Sequence, residues 1–339
     1  MQAARFDPTT GTLAVRDVPV PEPGAGEVLV AVRACGICLS DVHLIDGSLP
    51  APIGEVTPGH ESAGVVEAVG PGVPWWRAGQ RVVIAGGKTC GTCAGCATGG
   101  GCAAFQIMGF GYDGAWAEYV VVPYTCLTEV PDHIPFEQAA ILADAVATPY
   151  AGLVERAALR AGESVGLWGL GGLGTHAVQI ARMLGASPII GIDPLPAARE
   201  RALALGADHV LDPAEGDVPG RVRKLTGGLD LAADLVGANA VLAEGAACLG
   251  HSGRLLMVGL SMEPIALGPG LFFGLGSHTL LGHLGYQKKH LDELVALVGA
   301  GRLDVSGSVT EVLPLREVAR GVEALAGKQG NPVRLVVRP

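Results

Sequence analysis

Four cysteines, Cys90, Cys93, Cys96 and Cys102, fall within the short stretch KTCGTCAGCATGGGC. Disulfides and metal ligation compete as explanations, and the redox compartment weighs between them. The N-terminus, MQAARFDPTTGTLAVRD, carries charges early and no apolar run, so it does not read as a secretory leader, and a soluble cytoplasmic protein is expected. Reducing conditions there disfavour disulfides, and C-x2-C-x2-C is metal-ligand spacing. Four thiolates on short turns close a tetrahedral shell around Zn²⁺, and glycines 91, 95 and 99 to 101 let the backbone curl that tightly. Nothing else in the chain suggests electron transfer, so an iron–sulfur cluster is the weaker reading. A shell of four thiolates leaves no position for a substrate, which makes this zinc structural. The chemistry must lie elsewhere.

Other stretches carry groups able to do it. GLGGLG, Gly169 to Gly174, lies between an expected strand and an expected helix. Gly169, Gly171, Gly172, Leu173 and Gly174 would present a helix N-terminus to a pyrophosphate. Asp193 ends the next strand, placed to bond the adenosine ribose hydroxyls and to repel a ribose phosphate, so NAD is favoured over NADP. CGICLSDVH brings Cys38, Ser40, Asp41 and His43 within six positions; its C-x-x-C lacks the βαβ context of a thioredoxin-like redox pair. His60 and Glu61 open a strand in PGHESAGVVEAVGPGV. Asp144 sits among apolar residues in ILADAVATPY, where a carboxylate must bind a metal or cap a helix.

These residues need a scaffold, and 339 residues, 49% of them hydrophobic, suffice for two domains with separate cores. The 52 glycines exclude a plain helical bundle and call for tight turns, strand bends or a phosphate loop. A net charge of −10, with no cluster of Lys and Arg, argues against nucleic acid or anionic membrane as a partner. Up to residue 146, short apolar runs such as VLVAVRA and RVVIA alternate with Pro and Gly, the pattern of a β-rich domain. From 147 to 283 strands alternate with helices, which means a doubly wound parallel sheet and an α/β fold class. A tail from 284 adds helices and the strand VRLVVR. Residues 264–287 carry no formal charge, but six glycines and two prolines make a poor membrane span. A buried strand at a sheet edge, at a subunit interface, is expected there.

Taken together, these motifs resemble the zinc-containing alcohol dehydrogenases of the medium-chain dehydrogenase/reductase superfamily over essentially the full length. GHESAGVVEAVGPGV matches that family's G-H-E-x2-G-x5-G-x2-V signature at every position, and the cysteine lobe (88–104) and GLGGLG follow in order. The resemblance implies a GroES-like β-rich catalytic domain, 1–146 with 284–339, and a Rossmann NAD-binding domain, 147–283. It implies two Zn²⁺ per subunit, one catalytic and one structural, a small alcohol or carbonyl substrate, and a homodimer or homotetramer. Cys38 and His60 become catalytic zinc ligands, Cys35 a bystander, and Asp144 stands where many members carry a second ligating Cys. Glu61 is left open between an alternating ligand and a supporting group. One thiolate, one carboxylate and a neutral imidazole cancel the metal's charge and leave a fourth position free. Ser40 would take the alcohol's proton and pass it, through the cofactor ribose, to His43, while Asp41 supports the ligands and Thr148 orients the nicotinamide. The lobe is shortened between its third and fourth cysteines, and Gln287 stands where many members place a pyrophosphate-binding Arg, with Lys288 and Lys289 beside it as substitutes. A reductase of an activated carbonyl or double bond is the alternative within the superfamily, and a zinc-stabilised binding protein the alternative outside it. The former generally lacks both zinc sites, and the latter has little use for a Ser40–His43 relay.

Overall fold

EVLVAVRACGI has no polar side to give to water. It folds as the inner strand Glu27–Ile37, in which every residue except Glu27 and Arg33 is buried. In the computed structural model, which describes residues 1–50, 53–98 and 101–339, this strand is the axis of a seven-stranded sheet. The sheet runs Val309–Pro314, Arg334–Arg338, Glu27–Ile37, Ser62–Val69, Arg81–Ile84 and Leu127–Glu129, with Tyr119–Pro123 also paired to the inner strand. Every described pairing is antiparallel except that of Val309–Pro314 with Arg334–Arg338. The unit built on it comprises Met1–Ala145 and Gln287–Pro339.

The second unit, Val146–Tyr286, is a six-stranded parallel sheet. Its order is His209–Leu211, Ile189–Ile192, Val165–Trp168, Leu229–Asp234, Leu249–Met257 and Thr279–Gly282. In chain order that is 3-2-1-4-5-6, the dinucleotide-binding arrangement, with its switch point between the first and fourth strands. The strand expected before GLGGLG is VGLW, Val165–Trp168, and it is buried throughout, as a strand covered by helices on both faces must be. Gly172–Met183, Pro196–Ala204, Val218–Thr226 and Asn239–Cys248 are the connecting helices.

One expectation needs correction. Residues 264–287 do not form a buried strand: they hold a short helix, Gly270–Leu275, and an edge strand of only four residues, Thr279–Gly282. Leu271, Phe272, Leu275 and Leu284 are exposed. The glycines and prolines that ruled out a membrane span also break a long strand. Among the described residues no helix is long and apolar enough to cross a membrane.

Candidate metal centres and cofactor turn

The cysteine lobe gathers its four sulfurs as its spacing demands. The Sγ atoms of Cys90, Cys93, Cys96 and Cys102 all lie within 4.8 Å of one another, with Cys93 to Cys96 at 3.5 Å and Cys90 to Cys96 at 3.9 Å. Thiolates on a tetrahedral zinc stand about 3.8 Å apart, so the donors are already at ligation distance. Backbone N–H groups of Cys90 and Ala104 donate to Cys102 Sγ, and that of Cys96 to Cys93 Sγ. Hydrogen bonds from the Thr92 backbone and hydroxyl pull Cys90 down to about 6, whereas burial and the neighbouring thiols push Cys96 up to about 11. Four sulfurs this close cannot all ionise without a cation among them. Gly91 and Gly101 take positive φ, and a Cβ on Gly95 would lie 1.7 Å from the Gly101 carbonyl. Gly99 and Gly100 lie outside the described residues.

A second cluster forms in the same unit. Cys38 Sγ, a His60 ring nitrogen and one carboxylate oxygen each of Glu61 and Asp144 also lie within 4.8 Å of one another. Cys38 precedes the helix Leu39–Ile45, and His60 and Glu61 precede the strand Ser62–Val69. Asp144 sits in a π-helical turn, Leu142–Val146, whose extra residue per turn re-aims the side chain, putting its Oδ2 3.2 Å from Cys38 Sγ. Two glycines make the room. A Cβ on Gly36 would fall 2.1 Å from Glu61 Oε2, and one on Gly59, at φ +95°, would strike Trp116 and Cys35 Sγ. Cys35 is buried but stands outside the donor cluster.

Asp41, fully buried, holds the cluster in shape. Its Oδ2 accepts the Cys38 N–H at 2.9 Å, and its Oδ1 accepts the Gly59 N–H at 3.3 Å and lies 3.2 Å from His60 Nδ1. A proton on Nδ1 faces that carboxylate, which leaves the Nε2 lone pair, 3.9 Å from Asp144 Oδ2, for a metal. Ser40 Oγ stands 3.3 Å from the same Nε2. Arg334, which the motif reading did not single out, completes the site. Its Nη2 is 2.9 Å from Glu61 Oε1 and 3.8 Å from Asp144 Oδ2, with both Arg334 and Glu61 essentially inaccessible. An arginine in the buried strand RLVVR was the available signal, since such a charge needs a buried partner.

The charge balance tests whether a metal fits. Burial, and then the Asp144 charge, raise the Cys38 thiol, with Arg334 opposing. Burial drives Glu61 up to about 8 despite Arg334 beside it. Burial would lower His60, but Asp41, Asp144 and Cys38 outweigh it and hold the imidazole well above its ordinary value. Each group is driven towards the protonated form, Cys38 and Glu61 first by burial and then by neighbouring anions, His60 by the anions around it. A divalent cation offsets those anions, so the donor set fits zinc.

In the second unit the glycine turn has the required close contacts. Gly169 has φ +88°, and a Cβ on Gly174 would lie 1.8 Å from the Gly169 carbonyl, so the helix beginning at Gly172 can approach the strand only with glycine there. Gly171 and Leu173 complete the turn. Asp193 is buried and bound on both oxygens, Oδ2 by the Leu170 N–H and Oδ1 by the Leu195 N–H, each at 2.8 Å. Arg201 donates to the Leu170 carbonyl from the other side at 2.9 Å. Asp193 therefore also fixes the turn, a duty its position in the sequence does not disclose. Thr148 is buried, with its carbonyl 3.0 Å from His283 Nε2. Lys288 is engaged with both oxygens of Asp292.

The chain is similar to known proteins over its whole length. Residues 24–132 match the alcohol dehydrogenase GroES-like domain, and residues 172–300 match the zinc-binding dehydrogenase domain. The alcohol dehydrogenase of Geobacillus stearothermophilus is 32% identical over 94% of each chain. The chain belongs to the zinc-containing alcohol dehydrogenases of the medium-chain superfamily. Among solved structures, this dehydrogenase is similar to the alcohol dehydrogenase of Thermus sp. ATN1, with a TM-score of 0.92 at 32% identity, over 100% of this chain and 99% of that one. An NAD-dependent alcohol dehydrogenase, also 32% identical, has a TM-score of 0.90 with full coverage of both chains.

Proposed function

We propose that this dehydrogenase interconverts a primary, secondary or polyol alcohol with its aldehyde or ketone, using NAD, at a zinc held by Cys38, His60 and Asp144. The first unit carries both metal sites and the second binds the cofactor. The observation that carries the reading is the second donor cluster with its charge partners. Glu61 is already matched by Arg334 at 2.9 Å, which leaves Cys38, His60 and Asp144 as three ligands and a fourth position for substrate. The closed lobe of Cys90, Cys93, Cys96 and Cys102 takes the structural zinc. A bound zinc supplies Lewis acidity that brings an alcohol's pKa towards neutrality, and NAD supplies the hydride acceptor.

The side chains do the rest. Asp41 fixes the His60 tautomer and the Cys38 backbone. Ser40, beside His60 Nε2, receives the alcohol's proton, and His43, on the next turn of the same helix and about one-third exposed, releases it to solvent. Thr148 orients the nicotinamide. A reductase of activated double bonds has no use for this zinc donor set or its relay. Assay with NAD and a panel of alcohols, followed by NADH absorbance, tests the function; no turnover with any alcohol or carbonyl, in zinc-loaded protein, would remove it.

Cofactor choice rests on Asp193. NAD is expected to exceed NADP by at least about tenfold in kcat/KM, because a 2′-phosphate would meet a carboxylate. Arg199 does not relieve the repulsion: its guanidinium is engaged by the Asp193 carbonyl at 2.7 Å and Asp212 at 3.0 Å. Asp193→Gly should erode the preference and also raise the KM for NAD, since the Leu170 N–H loses its acceptor. Equal turnover with NADP in the unmodified protein overturns the assignment.

We further propose that the chain is cytoplasmic, since its zinc lobe needs reduced thiols, and that it assembles as a homodimer or homotetramer. The edge strand Thr279–Gly282 ends the parallel sheet beside exposed Leu271, Phe272 and Leu275, and a second copy meeting it there would cover both. Phe272→Asp should shift the mass seen by light scattering towards the monomer; an unchanged mass places the interface elsewhere.

A further inference from the structure

As the relay's outlet, the partly exposed His43 imidazole must be kept ready to accept a proton. The chain that follows its helix does this. After Ile45 the backbone turns back on itself: the Asp46 N–H bonds the Val42 carbonyl at 2.8 Å, Gly47 takes φ +79°, and the Leu49 N–H bonds the His43 carbonyl at 2.9 Å. This turn sets Ser48 against the imidazole, with Ser48 Oγ 2.9 Å from His43 Nδ1 and 2.6 Å from Asp46 Oδ1. The Ser48 N–H also donates to Asp46 Oδ1, at 2.8 Å, and pins the carboxylate in place.

A hydroxyl has one proton to give, and an ionised carboxylate can only accept. Hydrogen bonds from Ser48 hold the Asp46 carboxyl below its usual range, so it is ionised at neutral pH. The Ser48 proton therefore goes to Asp46, the shortest of its contacts and a charge-assisted one, rather than to the His43 carbonyl at 3.4 Å. Ser48 Oγ is then an acceptor towards His43, and Nδ1 must carry the hydrogen. That leaves the lone pair on Nε2.

We infer that Asp46 and Ser48 are positioning residues of the relay, fixing His43 as the Nδ1–H tautomer so that Nε2 is the base that accepts the outgoing proton. In the step itself an N–H bond forms at Nε2 as an O–H bond upstream breaks. The resulting imidazolium keeps Nδ1–H on Ser48, with the Asp46 carboxylate behind it, and Nε2 then gives its proton to water. Neither Asp46 nor Ser48 changes its protonation state. This inference rests on the assignment of His43 to the relay.

Long-range proton–nitrogen NMR of protein labelled with ¹⁵N-histidine, at about pH 9 where imidazoles are neutral, reads the tautomer directly. His43 is identified by the signal missing from His43→Gln. The unmodified protein should show His43 as Nδ1–H. Ser48→Ala should convert it towards Nε2–H, Asp46→Asn should give a mixture, and Ser48→Thr should restore the original form. For alcohol oxidation, Ser48→Ala should lower kcat by about threefold to tenfold with the KM for NAD nearly unchanged, and Ser48→Thr should recover it. An Nε2–H signal for His43 in the unmodified protein overturns the inference, as does a tautomer indifferent to Ser48→Ala. If the tautomer behaves as stated but His43→Gln keeps full turnover, the relay assignment falls, and with it the role given to Asp46 and Ser48.

Discussion

Asp144→Ala is expected to lose one of about two zincs per subunit and to reduce alcohol turnover by at least about a thousandfold, while leaving the fold in place. Asp144 Oδ2, 3.2 Å from Cys38 Sγ and 3.9 Å from His60 Nε2, brings the third donor to a site that cannot hold zinc on two. The fold should survive because Arg334 keeps its closer partner, Glu61 at 2.9 Å, when Asp144 is removed at 3.8 Å. Asp144→Cys should retain part of the metal, since a thiolate supplies the same charge, although its shorter side chain reaches less far from the π turn. Zinc content by elemental analysis, with a melting curve on each variant, separates the outcomes. Unchanged zinc in Asp144→Ala would make Glu61 the third ligand, which requires it to leave Arg334.

Much of this arrangement was legible from the chain because chemistry imposes it locally. The lobe's ligands are close in sequence, so their spacing alone announces a tetrahedral shell. GLGGLG and Asp193 are likewise tied together by one strand–turn–helix–strand unit of fixed geometry. The parallel sheet followed from alternating apolar runs and helical patterns, and its buried VGLW strand is where that pattern placed it. What local pattern cannot reveal are partners brought in by topology. Arg334 lies 273 positions after Glu61 and reaches it only because Arg334–Arg338 and Ser62–Val69 flank the same inner strand. The second duty of Asp193, on the Leu170 N–H, and the turn of Ser48 onto His43 are set by backbone dihedrals that a one-dimensional pattern does not carry. Residues 264–287 misled for the opposite reason: an uncharged composition signals burial, yet the glycine-flanked helix leaves Leu271 and Leu275 on the surface and the edge strand only half-buries Leu280 and Leu281.

Cys93→Ser and Cys38→Ser are expected to have opposite effects. In the lobe, loss of Cys93 removes one of four thiolates from a site whose loop has almost no core: the helix Ala94–Thr98 buries nothing, and Gly95 lies against Gly101. Metal ligation is what holds such a segment, so Cys93→Ser should lose one zinc and lower the melting temperature by about 5 °C or more. The protein that stays folded should keep turnover within about tenfold, because four thiolates leave no position for an alcohol and no proton-relay group stands among them. Cys38 is different. It begins a helix whose backbone Asp41 still caps through the Cys38 N–H, at 2.9 Å, whatever side chain stands there. Cys38→Ser should therefore keep the melting temperature within a few degrees, lose the other zinc and abolish turnover. Zinc content, melting temperature and turnover measured on both variants together give the contrast. Turnover lost in Cys93→Ser at full stability would mean that the lobe metal does the chemistry, and the division of roles between the two sites would have to be reversed.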